Sequence, residues 1–137
     1  MRYPARMDDR KPVHRAECHC GRITIEVHAA LPRRVYDCNC SICTKKGYLH
    51  WFVPRDRVRI LAADGDLATY TFLTGQAKHH FCRSCGVAPF YVARSHPDAI
   101  DVNIRCVPGV DLASFEVVPF DGQNWEQAVT DLRTREP

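Results

Sequence analysis

Seven of the eight cysteines in this chain fall into three short clusters: Cys18-His19-Cys20, Cys38-Asn39-Cys40-Ser41-Ile42-Cys43 and Cys82-Arg83-Ser84-Cys85. Two thiolates one or two residues apart can converge on one ion, because a tight turn brings both sulfurs to about 2.3 Å from a metal. Two such knuckles together supply the four ligands of a structural zinc. Gly86 follows Cys85 and Gly21 follows Cys20, and glycine permits the positive-φ turn that aims backbone N–H groups at the sulfurs. Paired, Cys18, Cys20, Cys82 and Cys85 close one site between distant parts of the chain.

The triplet Cys38, Cys40 and Cys43 differs in kind. It offers three thiolates from one short loop, which leaves the fourth position of a tetrahedral zinc open to water or substrate. Soft thiolates select zinc over magnesium or calcium. Spacing alone leaves copper(I), an iron–sulfur cluster or a share in a single structural site as alternatives. Cys106 stands alone and reads as a small buried hydrophobe at a strand end, with a ligand role at the second metal as the lesser reading.

Other side chains could assist such a site, each with a plainer reading beside it. His50, His79 and His80 titrate near neutrality and could handle a proton, although a histidine is more often a packing or surface residue. Tyr48, Trp51 and Phe52 could wall a substrate pocket or simply pack a strand. Arg33 and Arg34, just before the triplet, could attract carboxylates or stand in solvent.

The elements that must position these groups are mainly β. Residues 22–28 alternate apolar and polar with the period of a half-buried strand. Further β-rich runs cover 34–36, 48–53, 58–61, 68–73, 78–81, 87–92, 100–104 and 115–118, separated by turn signals such as Asp64-Gly65-Asp66 and Pro108-Gly109. Only 125–133 reads as a helix, with Asn124 as its N-cap. The expectation is a flexible arm over 1–15 and a single zinc-stapled domain of small antiparallel sheets over 16–137, with a short C-terminal helix.

Composition narrows the function. A chain of 137 residues fits one core that buries about 68% of the unfolded surface. The net charge of +3 comes with no run of basic residues and no basic stripe interleaved with aromatics, which argues against nucleic acid. No run approaches the roughly 20 apolar residues of a membrane span, and 1–15 lacks a signal-type apolar stretch. The expected location is therefore the reducing cytoplasm, where thiols in such numbers act as ligands or reactive groups rather than disulfides.

The order Cys18-His19-Cys20-Gly21, Cys38-Asn39-Cys40-Ser41-Ile42-Cys43, Phe81-Cys82-Arg83-Ser84-Cys85-Gly86 and Phe120-Asp121-Gly122-Gln123-Asn124-Trp125 resembles the glutathione-dependent formaldehyde-activating enzyme family, whose domain is shared with centromere protein V. The resemblance runs from Cys18 to Trp125. It implies a β-tent fold and two zincs per chain, with Cys18, Cys20, Cys82 and Cys85 matching a structural site and Cys38, Cys40 and Cys43 matching a catalytic one. It also implies carbon–sulfur lyase chemistry on a small-molecule thiol and aldehyde, or on their adduct. The rival reading is a non-catalytic zinc-stabilised binding module. A thiol redox protein using Cys40 and Cys43 lacks the βαβ context such chemistry expects. Edge strands of a small β domain also offer a route to a homodimer.

Overall fold

The computed structural model describes residues 13–135. Its strands are β1 (Val13–Glu17), β2 (Thr24–His28), β3 (Arg34–Cys38), β4 (Leu49–Pro54), β5 (Val58–Leu61), β6 (Leu67–Tyr70), β7 (His79–Cys82), β8 (Phe90–Tyr91), β9 (Ala99–Asn103) and β10 (Glu116–Phe120), with helices α1 (Ser41–Lys46) and α2 (Trp125–Arg135). They form three small sheets, ordered β1-β2-β5, β10-β3-β4-β9-β8 and β6-β7. All ladders are antiparallel except β3 with β10. The fold is thus mainly β with small antiparallel sheets and a short C-terminal helix.

The five-stranded sheet separates the core from the functional face. Successive side chains of a strand point to opposite faces, and paired residues share a face. On one face Val35, Trp51, Val53, Phe90, Ile100 and Val102 enter the main core, joined by Ile25, Val27 and Val58 from the three-stranded sheet. On the other face the register places Tyr36 opposite His50, His50 opposite Asn103, Phe52 and Tyr91 opposite Asp101, and Cys38 opposite Phe120. Part of that second face is covered by α2, whose Leu132 packs on Tyr36 and Val118.

Several elements depart from expectation. Of the expected arm, residues 1–12 lie outside the described residues, while 13–15 open β1 and pair with 26–28 of β2. Ala16 is fully buried in that strand, one apolar contact between exposed neighbours that carries little periodic signal. The triplet does not sit in a loop throughout: Cys43 lies inside α1, a six-residue helix too short to show a 3.6-residue pattern. Asn124, expected as the N-cap of α2, lies in a 3₁₀ turn, and its amide donates to Asp121 Oδ2 at 2.8 Å.

Candidate functional site

Cys18, Cys20, Cys82 and Cys85 come together although they belong to separate hairpins, with all four sulfurs within 4.8 Å of one another. Two separations, Cys18 to Cys20 at 3.7 Å and Cys20 to Cys82 at 3.5 Å, approach the roughly 3.8 Å edge of a tetrahedron built on 2.3 Å metal–sulfur bonds. They are far too long for the ~2.05 Å of a disulfide. The turns are shaped for sulfur. The Ile23 N–H donates to Cys18 Sγ at 3.3 Å and the Cys85 N–H to Cys82 Sγ at 3.4 Å. Gly21 and Gly86 take φ of 82° and 80°, a conformation that side-chain-bearing residues disfavour. Cys18 and Cys82 belong to the main core, so this group fits a structural zinc that staples the first hairpin to the β7–β8 region.

Cys38 ends β3, Cys40 caps α1 and Cys43 lies in its first turn. The Cys43 N–H donates to Cys40 Sγ at 3.4 Å and the Cys40 N–H to Cys38 Sγ at 3.5 Å. The three sulfurs also lie within 4.8 Å of one another, and among the described residues no fourth cysteine, histidine or carboxylate joins them at that spacing. As bare thiols they share charge unevenly. Sulfur–sulfur hydrogen bonds from Cys38 and Cys43 pull the Cys40 thiol far below its usual value, while contact with Cys40 drives Cys38 up to about 11. Contacts with both neighbours and burial also push Cys43 up. A cation is what lets all three ionise together, and their softness fits zinc.

The segment after β10 is clamped against this triplet through Asn39. The Asn39 amide donates to Asp121 Oδ1 at 3.0 Å, the Gln123 N–H donates to Asn39 Oδ1 at 3.1 Å, and Gln123 Nε2 donates to the Asn39 carbonyl at 3.2 Å. Gly122 thereby lies so close that a Cβ there would fall 2.5 Å from Cys38 Sγ and 2.8 Å from Cys40 Cβ. In the sequence Asn39 and Gly122 stand inside motifs with no role assigned to either. Only the fold, which joins positions 84 residues apart, gives them this role.

A cavity of about 460 Å³ adjoins the triplet and is lined by all three cysteines. Of the three expected wall residues only Phe52 reaches it. Trp51 points to the core on the opposite face of β4, and Tyr48 is buried with its hydroxyl donating to the Asp101 carbonyl at 2.6 Å. The other rings around the opening are Tyr36, Phe72, Tyr91, Phe120 and Trp125. His50 and His79 line the cavity. His79 stacks on Tyr91 and Phe72, and burial lowers it to about 4, so it is neutral near pH 7. His80 is absent from the lining, and its Nδ1 lies 2.8 Å from Thr69 Oγ1.

The expected arginines are elsewhere as well. Arg33 and Arg34 border a separate surface groove, and Arg34 pairs with Glu116 at 2.9 Å. Among the described residues the arginine in the cavity lining is Arg94, whose guanidinium lies 3.7 Å from the centroid of the Trp125 ring. Cys106 is in neither sulfur group. Its Sγ lies 3.8 Å from the Ala88 carbonyl, and burial raises the thiol to about 11.

Two sulfur groups, one of four and one of three beside a cavity, are an unusual pairing in so small a domain. A family model described as glutathione-dependent formaldehyde-activating enzyme matches residues 13–114, a span that contains every one of the seven clustered cysteines. The chain belongs to the glutathione-dependent formaldehyde-activating enzyme family. The fold is also similar to the crystal structure of a Rhodobacter sphaeroides protein, at 32% identity and a TM-score of 0.69 over 77% of this chain and 97% of that one. The matched family span ends before Phe120, so Asp121, Gly122 and Gln123, which clamp onto Asn39, and Trp125, which meets Arg94, lie beyond it. No helix among the described residues is long and apolar enough to cross a membrane.

Proposed function

We propose that the protein is a two-zinc, thiol-dependent carbon–sulfur lyase that makes or breaks the adduct of a glutathione-like thiol with an aldehyde. The observation that carries this reading is the three-sulfur group, with no fourth protein ligand among the described residues, opening onto a cavity large enough for a small molecule. Cys18, Cys20, Cys82 and Cys85 hold a structural zinc, and Cys38, Cys40 and Cys43 hold the second. When bound there, zinc supplies an open coordination position that favours a substrate thiol in its thiolate form near neutral pH.

The remaining work falls to the chain. The rings of Phe52, Phe72, Tyr91 and Trp125 exclude water from the reacting carbonyl and strengthen polar interactions inside the cavity. Arg94, held over the Trp125 ring, presents its N–H fork to a carboxylate on the thiol or the aldehyde. In the forward direction a C–S bond forms at the carbonyl carbon and the oxygen gains a proton; the reverse breaks that bond and releases both partners.

The test is to incubate the zinc-loaded protein with glutathione and a panel of aldehydes and follow adduct exchange by NMR. The expected result is exchange at least ~10²-fold faster than in buffer for one or more aldehydes, abolished by Cys43→Ser. No acceleration with any of several thiols would contradict catalysis and leave a zinc-stabilised binding module.

A further inference from the structure

We propose that His50, held in place by Asp101, handles the proton at the oxygen of the aldehyde adduct. This rests on the thiol–aldehyde reading above and assigns a residue to it. His50 lies on β4 and Asp101 on the neighbouring β9, both on the sheet face that looks toward the triplet. They are 2% and 1% exposed, and His50 Nδ1 lies 2.6 Å from Asp101 Oδ2. A carboxylate at that distance fixes the tautomer, with the proton on Nδ1 and the lone pair on Nε2.

That Nε2 has no hydrogen-bond partner and is shielded from bulk water. Leaving a buried polar atom unpaired costs about 1–3 kcal/mol, and apolar side chains in place of a buried polar pair are often no less stable. The ring of His50 nonetheless forms part of the cavity wall beside Cys38, Cys40 and Cys43. Because Nε2 is closed to water in this structure, a hydroxyl or carbonyl oxygen seated in the cavity supplies the bond it lacks only when the wall around the ring gives way on binding. The other two histidines are less suited: His80 is off the cavity, and His79 has rings rather than a carboxylate against it.

The step balances without a further reactant. In breakdown, Nε2 takes the hydroxyl proton of RS–CH(OH)–R′, the O–H electron pair becomes the carbonyl π bond, and the C–S pair leaves with sulfur. In formation, the proton on Nε2 returns to the oxygen as sulfur adds to carbon. Asp101 is a positioning residue that steadies the imidazolium between the two. The titratable groups around His50 are Asp101 on β9, Tyr91 on β8, Tyr36 on β3 and Tyr48 before β4, with His79 beyond Tyr91 and the three cysteines across the cavity.

The experiment compares zinc-loaded wild type, His50→Gln, His50→Ala and Asp101→Asn for glutathione–formaldehyde exchange as a function of pH. Expected are a loss of about 10²-fold or more in kcat for His50→Gln with metal content unchanged, and partial rescue of His50→Ala by added imidazole. A His50→Gln protein with the wild-type rate and pH profile would overturn the assignment. A second measurement is independent of turnover: the ¹⁵N resonance of His50 Nε2 should move when S-(2-hydroxyethyl)glutathione, a stable thioether that carries a hydroxyl near the sulfur, is added to the wild type. If wild type shows no exchange but the resonance moves, the lyase reading fails and the His50 contact stands. An unmoved resonance in a protein that binds the thioether overturns the role of His50 alone, and a protein that neither exchanges nor binds overturns both.

Discussion

Cys82→Ser is expected to release the metal of the four-cysteine group and unfold the domain. Cys82 is fully buried at the end of β7 and Cys18 is 3% exposed, so both sulfurs are core atoms as well as ligands. Their group ties the first hairpin to the β7–β8 region, between which the chain has no other covalent or ionic staple among the described contacts. A structural zinc contributes about 10–16 kcal/mol to folding, comparable to or larger than the roughly 5–15 kcal/mol by which a whole domain is stable. Removing one ligand also leaves the buried Cys18, the half-buried Cys85 and the exposed Cys20 without a common partner. Circular dichroism and metal analysis should show lost structure and lost metal together. Cys106→Ser is the control, expected to cost about 1 kcal/mol, because that sulfur joins neither group. A Cys82→Ser protein with the wild-type melting temperature would contradict the structural role of the site.

Gly122→Ala is expected to empty the three-cysteine site while the fold persists. The new methyl would overlap Cys38 Sγ and Cys40 Cβ at 2.5 and 2.8 Å; the Cβ is fixed by its backbone, and the sulfur can move only by leaving its companions. The overlap can be relieved by turning Cys38 away from its companions or by lifting the segment after β10 off Asn39. The first removes a ligand, and the second breaks the hydrogen bonds among Asn39, Asp121 and Gln123 that hold the loop in shape. Overpacking of this kind costs about 1–3 kcal/mol, which a domain with its structural zinc intact can absorb. Metal content should fall from two per chain to one, and thiol–aldehyde exchange should drop to the level of Cys43→Ser. Two retained metals and undiminished exchange would show that the clamp does not govern the site.

The contrast between these two variants follows what was legible in the sequence. The four-plus-three grouping of sulfurs could be read from spacing, because knuckle geometry is local and the trailing Gly21 and Gly86 mark the turns. One strand could be read from period-2 alternation and most of the others from β-rich runs between turn signals. What escaped was set by pairing at long range. The parallel contact of β3 with β10 brings Phe120 beside Cys38, and nothing near either residue signals it. The same pairing delivers Gly122 to the triplet. Alternation along β4 did hold the information that Trp51 and Phe52 point to opposite faces. Which face met the cavity depended on β9, whose Asp101 turns His50 from one histidine among three into an anchored group. The arginine at the cavity was likewise sought next to the triplet in sequence, at Arg33 and Arg34, and is instead Arg94, held over the Trp125 ring.

This small domain is expected to carry two metals of different kinds, one in a closed site and one in an open site. Metal content of freshly prepared wild type, Cys38→Ser and Cys43→Ser, measured with zinc supplied during expression, tests this most directly. Two zincs per chain in the wild type, and one in each folded variant, is the predicted result. One zinc in all three proteins would contradict it.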